Sequence, residues 1–270
     1  MPSDFSPKKI RTTTLQEFKA RGEKFSCLTS YDSLTSSIFD QAGIEFLLVG
    51  DSAANNFLGF DSTLPITLDE IVTFTRAVSR GAKRALVVAD MPFGSYEISD
   101  EEAVRNAVRL MKEGGAEAVK LEGGARSARV IRAIVDAGIP VCAHLGFTPQ
   151  SVHSLGGFKI QGKGESAKQL VEDAKSVEAA GAFAVVLEMV PAELAAEIDR
   201  AIGIPTIGIG AGAGTTGQVL VWTDLVGLSD GPAKKFVKQY LDLRTQISKA
   251  ASSYREDVRA NTFPGKEHSF

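Results

Sequence analysis

Apolar positions along the chain follow two alternating rhythms. Short, nearly continuous apolar runs occupy 45–49, 85–89, 118–121, 140–144, 184–187 and 205–209, and each follows a glycine within a few residues: Gly43, Gly81, Gly115, Gly138, Gly181 and Gly203. A glycine just past a helix adopts the left-handed conformation without a Cβ penalty, so each is read as the residue that closes a helix. Between the runs the apolar residues fall on one helical face. Val104, Ala107, Val108 and Met111 do so over 100–114, Val130, Ile131, Ile134 and Val135 over 125–137, and Leu170, Val171, Ala174 and Val177 over 165–180. Ser99 with Glu102 predicts a capping box at the start of the first of these. The short runs lack polar alternation, as strands covered on both faces should.

A run at 25–30 and a weaker one at 218–221 bring the strands to eight. Strand–helix alternation of this length predicts an α/β fold, a (β/α)8 TIM barrel. The rival doubly wound sheet would open on a strand, a GxGxxG turn and a helix, and no such unit is present. An extra N-terminal helix over 12–21 is placed at the barrel bottom, and the last helix over 234–253. The stretch 255–270, with Pro264 and Gly265, reads as a polar C-terminal tail. No internal linker breaks the chain, so 1–270 is read as one catalytic domain.

Composition narrows the class. At 270 residues, 44% apolar and 23% charged, the chain has globular composition. A net charge of −3 without a basic stripe argues against nucleic acid as a partner. The first ten residues carry no apolar signal-peptide core, and no apolar run approaches the length of a membrane span. The two cysteines, Cys27 and Cys142, lie in strand runs and read as small core residues, which points to a reducing cytoplasm.

In a barrel the chemistry sits where strands end. The strand ends here carry Ser30-Tyr31-Asp32, Gly50-Asp51-Ser52, Asp90, Lys120 with Glu122, His144 and Glu188. Residues i and i+2 on a strand share a face, so Lys120 and Glu122 point together into the barrel while Val119 and Leu121 point toward the helices. Interior charges must be paired or bound to something. A lysine beside Asp51, Asp90 and Glu122 predicts a cation site next to an anion site. Oxygen ligands favour Mg²⁺, which takes one or two protein carboxylates and fills its shell with water or substrate. Asp51 and Asp90 are the expected direct ligands, with Glu122 acting through water. Each group has a plainer reading: Asp51 and Asp90 as helix caps, Lys120–Glu122 as a structural ion pair, His144 as a satisfied core histidine and Glu188 as a rim carboxylate. The run Gly208-Ile209-Gly210-Ala211-Gly212 is an anion cradle, a tight turn or a point of close ligand approach. It lacks the Gly-Lys-Ser/Thr of a P-loop.

At these residues the chain resembles the ketopantoate hydroxymethyltransferase family. The motifs run in order from about Thr14 to Phe270: Thr29-Ser30-Tyr31-Asp32, Val49-Gly50-Asp51-Ser52, Asp61-Ser62-Thr63-Leu64-Pro65, Ala89-Asp90-Met91-Pro92-Phe93 and Val119-Lys120-Leu121-Glu122-Gly123-Gly124. They continue with His144-Leu145-Gly146-Phe147-Thr148-Pro149-Gln150-Ser151, Gly156-Gly157-Phe158-Lys159-Ile160-Gln161-Gly162, Leu187-Glu188-Met189-Val190-Pro191, the 208–212 glycine run and the C-terminal Pro264-Gly265-Lys266-Glu267-His268-Ser269-Phe270. The resemblance implies a barrel, Mg²⁺, 5,10-methylenetetrahydrofolate as one-carbon donor and a large homo-oligomer, commonly a decamer. Residue by residue it makes Asp51 and Asp90 metal ligands and puts Glu122 in the metal-site position. It sets Asp51, Ser52, Asp90 and Lys120 against the keto acid, makes Glu188 the proton acceptor and matches His144 to an active-site histidine. The sequence departs from the family at Ala53-Ala54-Asn55-Asn56, at Phe60, at Thr216, where aspartate is usual, and at Trp222-Thr223.

The expected reaction moves a hydroxymethyl group onto 3-methyl-2-oxobutanoate through a Mg-stabilised enolate, giving 2-dehydropantoate for pantothenate synthesis. Two rivals stand beside it. A Mg²⁺-dependent barrel lyase of the isocitrate-lyase and phosphoenolpyruvate-mutase group would carry a Lys-Cys-Gly-His loop, which is absent. A catalytically silent binding or assembly barrel has no need of Asp51, Asp90, Lys120, Glu122 and Glu188 together.

Overall fold

The computed structural model describes residues 8–229, 231 and 234–270. Residues 1–7, most of the segment read as lacking a signal-peptide core, lie outside the described residues. Eight strands, β1 (Phe25–Thr29), β2 (Phe46–Val49), β3 (Leu86–Asp90), β4 (Ala118–Glu122), β5 (Val141–Gly146), β6 (Ala184–Glu188), β7 (Thr206–Ile209) and β8 (Gly217–Leu220), form a closed barrel in sequence order. Every neighbouring pair is parallel, including the closing pair β8–β1. The predicted (β/α)8 TIM barrel is therefore the fold. The helices are α1 (Thr12–Ala20), α2 (Ser33–Gln41), a short α3 (Ala53–Asn56), α4 (Leu68–Gly81), α5 (Asp100–Arg109), α6 (Ala128–Asp136), a short α7 (Val152–Leu155), α8 (Ser166–Ala179) and α9 (Ala192–Ala201). Trp222–Phe270 forms a second compact unit, with α10 (Trp222–Leu225) and α11 (Leu243–Arg259). No described helix is long and apolar enough to cross a membrane.

The two-residue strand period sorts side chains into an interior and an exterior set. Phe25 and Cys27, Phe46 and Leu48, Leu86 and Val88, Ala118, Cys142, Ala184 and Val186, Ile207 and Val219 meet in one buried cluster inside the barrel. Cys27 and Cys142 are free thiols within it, and burial raises both well above the ordinary thiol range, Cys142 to about 12. Leu15 of α1 and Ile10 join the same cluster, so the N-terminal helix does close the barrel bottom. Lys19 of α1 lies 3.2 Å from the Asp199 carboxylate, which also accepts from the Thr216 hydroxyl at 2.8 Å. An aspartate at 216 would set a second carboxylate against Asp199, which accounts for the threonine there.

Several expectations are corrected. Gly81 and Gly203 are not left-handed, unlike Gly43, Gly115, Gly138 and Gly181. Gly81 lies inside α4, where a Cβ would collide with the Ser33 carbonyl and the Ser36 hydroxyl of α2, so its role is close helix packing. Ser99 accepts from the Glu102 N–H at 3.2 Å without the return bond, whereas Thr67 and Glu70 make both halves of a capping box at α4. The helix predicted over 100–114 ends in a π turn, Leu110–Gly114. The last helix starts at Leu243, where Asp242 caps the Thr245 N–H at 3.3 Å, and runs to Arg259. It therefore lies further along the chain than 234–253. It takes in the first part of the segment read as a tail, which also holds a 3-10 turn over Lys266–His268.

One carboxylate serves the scaffold alone. Asp40 of α2 is buried and accepts the backbone N–H groups of Lys83, Arg84 and Ala85, at 2.9, 2.9 and 2.6 Å, as the chain enters β3. Asp40→Ala strands those donors and should lower stability by about 2–4 kcal/mol in urea unfolding. An unchanged unfolding midpoint would contradict this assignment.

Candidate active site

The interior rows that are apolar at the bottom become ionisable at the top. Asp90 is in phase with Leu86 and Val88, Lys120 and Glu122 with Ala118, His144 with Cys142, and Glu188 with Ala184 and Val186. Strand register then sets Asp90 beside Lys120, and Glu122 beside His144. Asp51 and Ser52 follow β2 after Gly50, ahead of α3.

These groups form one connected cluster. The Asp51 N–H donates to Asp90 Oδ2 at 2.9 Å, and Lys120 Nζ lies 2.6 Å from Asp90 Oδ1. Lys120 Nζ is 3.3 Å from His144 Nδ1. His144 stands between two carboxylates, with Nδ1 3.4 Å from Glu122 and Nε2 3.4 Å from Glu188. Ser52 pairs its hydroxyl with the Tyr31 phenol at 2.8 Å. All the predicted site residues are therefore brought together.

Geometry bears on the plainer readings, and the buried ion pair of Lys120 is with Asp90 and not with Glu122. Asp51 and Asp90 cap no helix, unlike Asp32, which accepts from Leu34 and Thr35 at the start of α2, and Asp242 at α11. His144 is not a satisfied core histidine: its ring nitrogens face Glu122 and Glu188 only at 3.4 Å, and the Nε2 contact lacks hydrogen-bond geometry. The glycine run serves close approach: a Cβ on Gly208 would lie 2.7 Å from the Thr215 hydroxyl, and one on Gly212 would lie 2.5 Å from Ala192.

The electrostatics are unbalanced toward negative charge. Asp51, Asp90, Glu122 and Glu188 face one ammonium and one imidazole. Burial raises Asp51, aided by Glu122. Burial also lifts Asp90, to about 6, against the pull of Lys120. Burial opposes charge on Lys120, but Asp90, Glu122 and Asp51 outweigh it and hold the ammonium above its ordinary range. Burial and Lys120 push His144 down; Glu122 and Glu188 outweigh them and raise it to about 9.

The donor set fits a hard divalent cation. Glu122 Oε1 is a buried carboxylate oxygen that faces His144 Nδ1 at 3.4 Å without hydrogen-bond geometry. Among the described residues no group of three or more His, Cys, Asp or Glu side chains forms a ready-made metal cage. An ion held by two carboxylates and otherwise by water and substrate matches the usual habit of Mg²⁺.

Two further site residues, Gln150 and Tyr96, were not among the sequence candidates. Gln150 Nε2 donates to Asp51 Oδ2 at 2.9 Å, and Tyr96 donates its phenol to Gln150 Oε1 at 2.6 Å. Neither lies on a strand, and an uncharged amide or phenol in a loop carries no signal of burial.

The fold and site define a (β/α)8 barrel with an acidic, lysine-containing centre at the strand ends. Solved structures of that architecture include a phosphonopyruvate hydrolase complex with oxalate and Mg²⁺, with a TM-score of 0.61 and 13% identity over 96% of this chain and 93% of that one. A 2,3-dimethylmalate lyase gives a TM-score of 0.59 and 17% identity over 96% and 90%. At such identities the likeness is one of fold. The ketopantoate hydroxymethyltransferase family model matches residues 9–266, and the chain belongs to that family. The 3-methyl-2-oxobutanoate hydroxymethyltransferase of Leifsonia xyli subsp. xyli is 60% identical over 269 residues, covering 100% of this chain and 97% of its own. That of Corynebacterium efficiens is 57% identical over 268 residues, covering 99% and 100%.

Proposed function

We propose that the protein transfers a hydroxymethyl group from 5,10-methylenetetrahydrofolate to 3-methyl-2-oxobutanoate, giving 2-dehydropantoate and tetrahydrofolate. The observation that carries this reading is the connected set of Asp51, Asp90, Lys120, His144, Glu122 and Glu188 at the strand ends, in a chain of this family. Asp51 and Asp90 would hold Mg²⁺, with Glu122 acting through water. When bound, that ion supplies Lewis-acid polarisation of the ketone.

The chain's own groups do the rest. Lys120 offers fixed positive charge, in a site sheltered from water, to the substrate carboxylate and to the oxygen that becomes negative as C3 loses its proton. The Ser52 hydroxyl, braced by Tyr31, is a neutral donor beside Asp51. Glu188 takes the C3 proton; the C3–H electron pair then forms the new C–C bond to the methylene carbon of the folate iminium. His144 borders Glu188 on its inner side and limits how the carboxylate can turn. Water finally releases tetrahydrofolate and supplies the hydroxyl. The enzyme is placed in the cytoplasm as a self-associating homo-oligomer, a decamer, with no nucleic-acid or membrane partner and with the barrel as its catalytic domain.

The test uses 3-methyl-2-oxobutanoate and Mg²⁺ in D₂O. Proton NMR should show loss of the C3 signal, and addition of methylenetetrahydrofolate should bring up a hydroxymethyl signal. Exchange without transfer would favour a lyase-type barrel, and neither event would leave a binding protein.

A further inference from the structure

Gln150 lies in the 3-10 turn Pro149–Ser151 after β5 and is buried. A buried primary amide has two N–H donors and one carbonyl to satisfy. Nε2 donates to Asp51 Oδ2 at 2.9 Å and to the Met91 carbonyl at 3.1 Å, and Oε1 accepts the Tyr96 phenol at 2.6 Å. The amide has one tenable orientation. Flipped, its oxygen would face a carboxylate and a carbonyl, and its NH₂ would face a phenol that already accepts the Glu122 N–H at 3.3 Å. The backbone N–H of Gln150 donates to Glu122 Oε2 at 3.0 Å.

One residue thus engages one oxygen of each of two carboxylates from different strands. Asp51 Oδ1 and Glu122 Oε1 stay outside the brace, and Glu122 Oε1 meets only His144 Nδ1, 3.4 Å away and out of hydrogen-bond geometry. Donors fixed on one oxygen stop a carboxylate from turning and aim the other oxygen in a set direction. Asp51 follows β2 and Glu122 ends β4, so no strand hydrogen bond fixes their side chains relative to each other. Gln150 does so directly, and Tyr96 holds it by tying the loop after β3 to Gln150 Oε1 and to the Glu122 backbone.

We infer that Gln150, locked in place by Tyr96, is a positioning residue that aims Asp51 and Glu122 at a divalent cation. The inference rests on the metal reading above. It is tested with Mn²⁺, followed by loss of the free-ion EPR signal on titration into the full chain. Gln150→Met keeps the volume and removes the side-chain donors and acceptor. It should weaken Mn²⁺ binding about tenfold or more, as loss of an outer partner of a metal ligand does. Tyr96→Phe leaves both Gln150 donors in place and should weaken binding less. In the C3-exchange assay, the Mg²⁺ concentration for half-maximal rate should rise with the Mn²⁺ dissociation constant, while the rate at saturating Mg²⁺ returns toward the parent value. A loss of folded protein would lower the saturating rate and leave the Mg²⁺ requirement unmoved. Parental Mn²⁺ affinity in Gln150→Met would overturn the inference and spare the metal reading. Failure of the unsubstituted chain to bind Mn²⁺, or unchanged binding in Asp51→Ala, would remove both.

Discussion

Replacing Glu188 by glutamine should slow exchange of the C3 proton of 3-methyl-2-oxobutanoate by roughly 10²–10⁴-fold, the usual contribution of a positioned base. The substitution keeps shape and hydrogen-bonding capacity and removes the basic oxygen. Glu188 ends β6 with its side chain 18% exposed, the one carboxylate of the cluster that reaches the open side. It is also set apart from Glu122, with His144 between the two. Binding of the keto acid and of Mg²⁺ should therefore persist, which calorimetry checks, while NMR in D₂O reads the exchange. Parental exchange in Glu188→Gln would remove Glu188 from the role of base. Lost binding together with lost exchange would instead make it part of the binding set.

Lys120→Met should affect both activity and stability. The ammonium is 3% exposed and lies 2.6 Å from Asp90. Its removal leaves buried carboxylates without their cation, a loss of about 3–5 kcal/mol for a broken buried pair. Activity should fall by about 10²–10³-fold, the scale for loss of one fixed stabiliser of developing negative charge. The pH dependence gives a separate signature. Burial lifts Asp90 to about 6, and Lys120 is what holds it from rising further. Without the ammonium Asp90 rises, is more protonated at neutral pH and binds a cation less well. The acid limb of the Mg²⁺-dependent rate should therefore move to higher pH in the variant. A Lys120→Met protein with parental keto-acid affinity and an unmoved acid limb would refute this role.

Much of the site was legible because strand geometry is periodic. Lys120 and Glu122 are two residues apart on one strand, so their common direction follows from the sequence. That the direction is inward follows from Val119 and Leu121 being apolar. Asp90, His144 and Glu188 continue the interior rows of their strands for the same reason. Gln150 and Tyr96 were not legible in this way. They sit in loops whose course depends on what they pack against, and an isolated polar side chain there says nothing of its partners. The last helix begins later than the sequence predicts because Phe236, Val237, Tyr240 and Leu241 keep a helical spacing before it, while its start is decided by the Asp242 cap.

The order of strands and helices, the inward ionisable rows and the closed helical bottom were determined by the sequence itself, because backbone periodicity converts spacing into direction. Which oxygen of Asp51 and of Glu122 is engaged, and that His144 lies between two carboxylates, were decided only by the tertiary structure. Those facts depend on distances between side chains of different strands and loops, and these exist only once the barrel has closed.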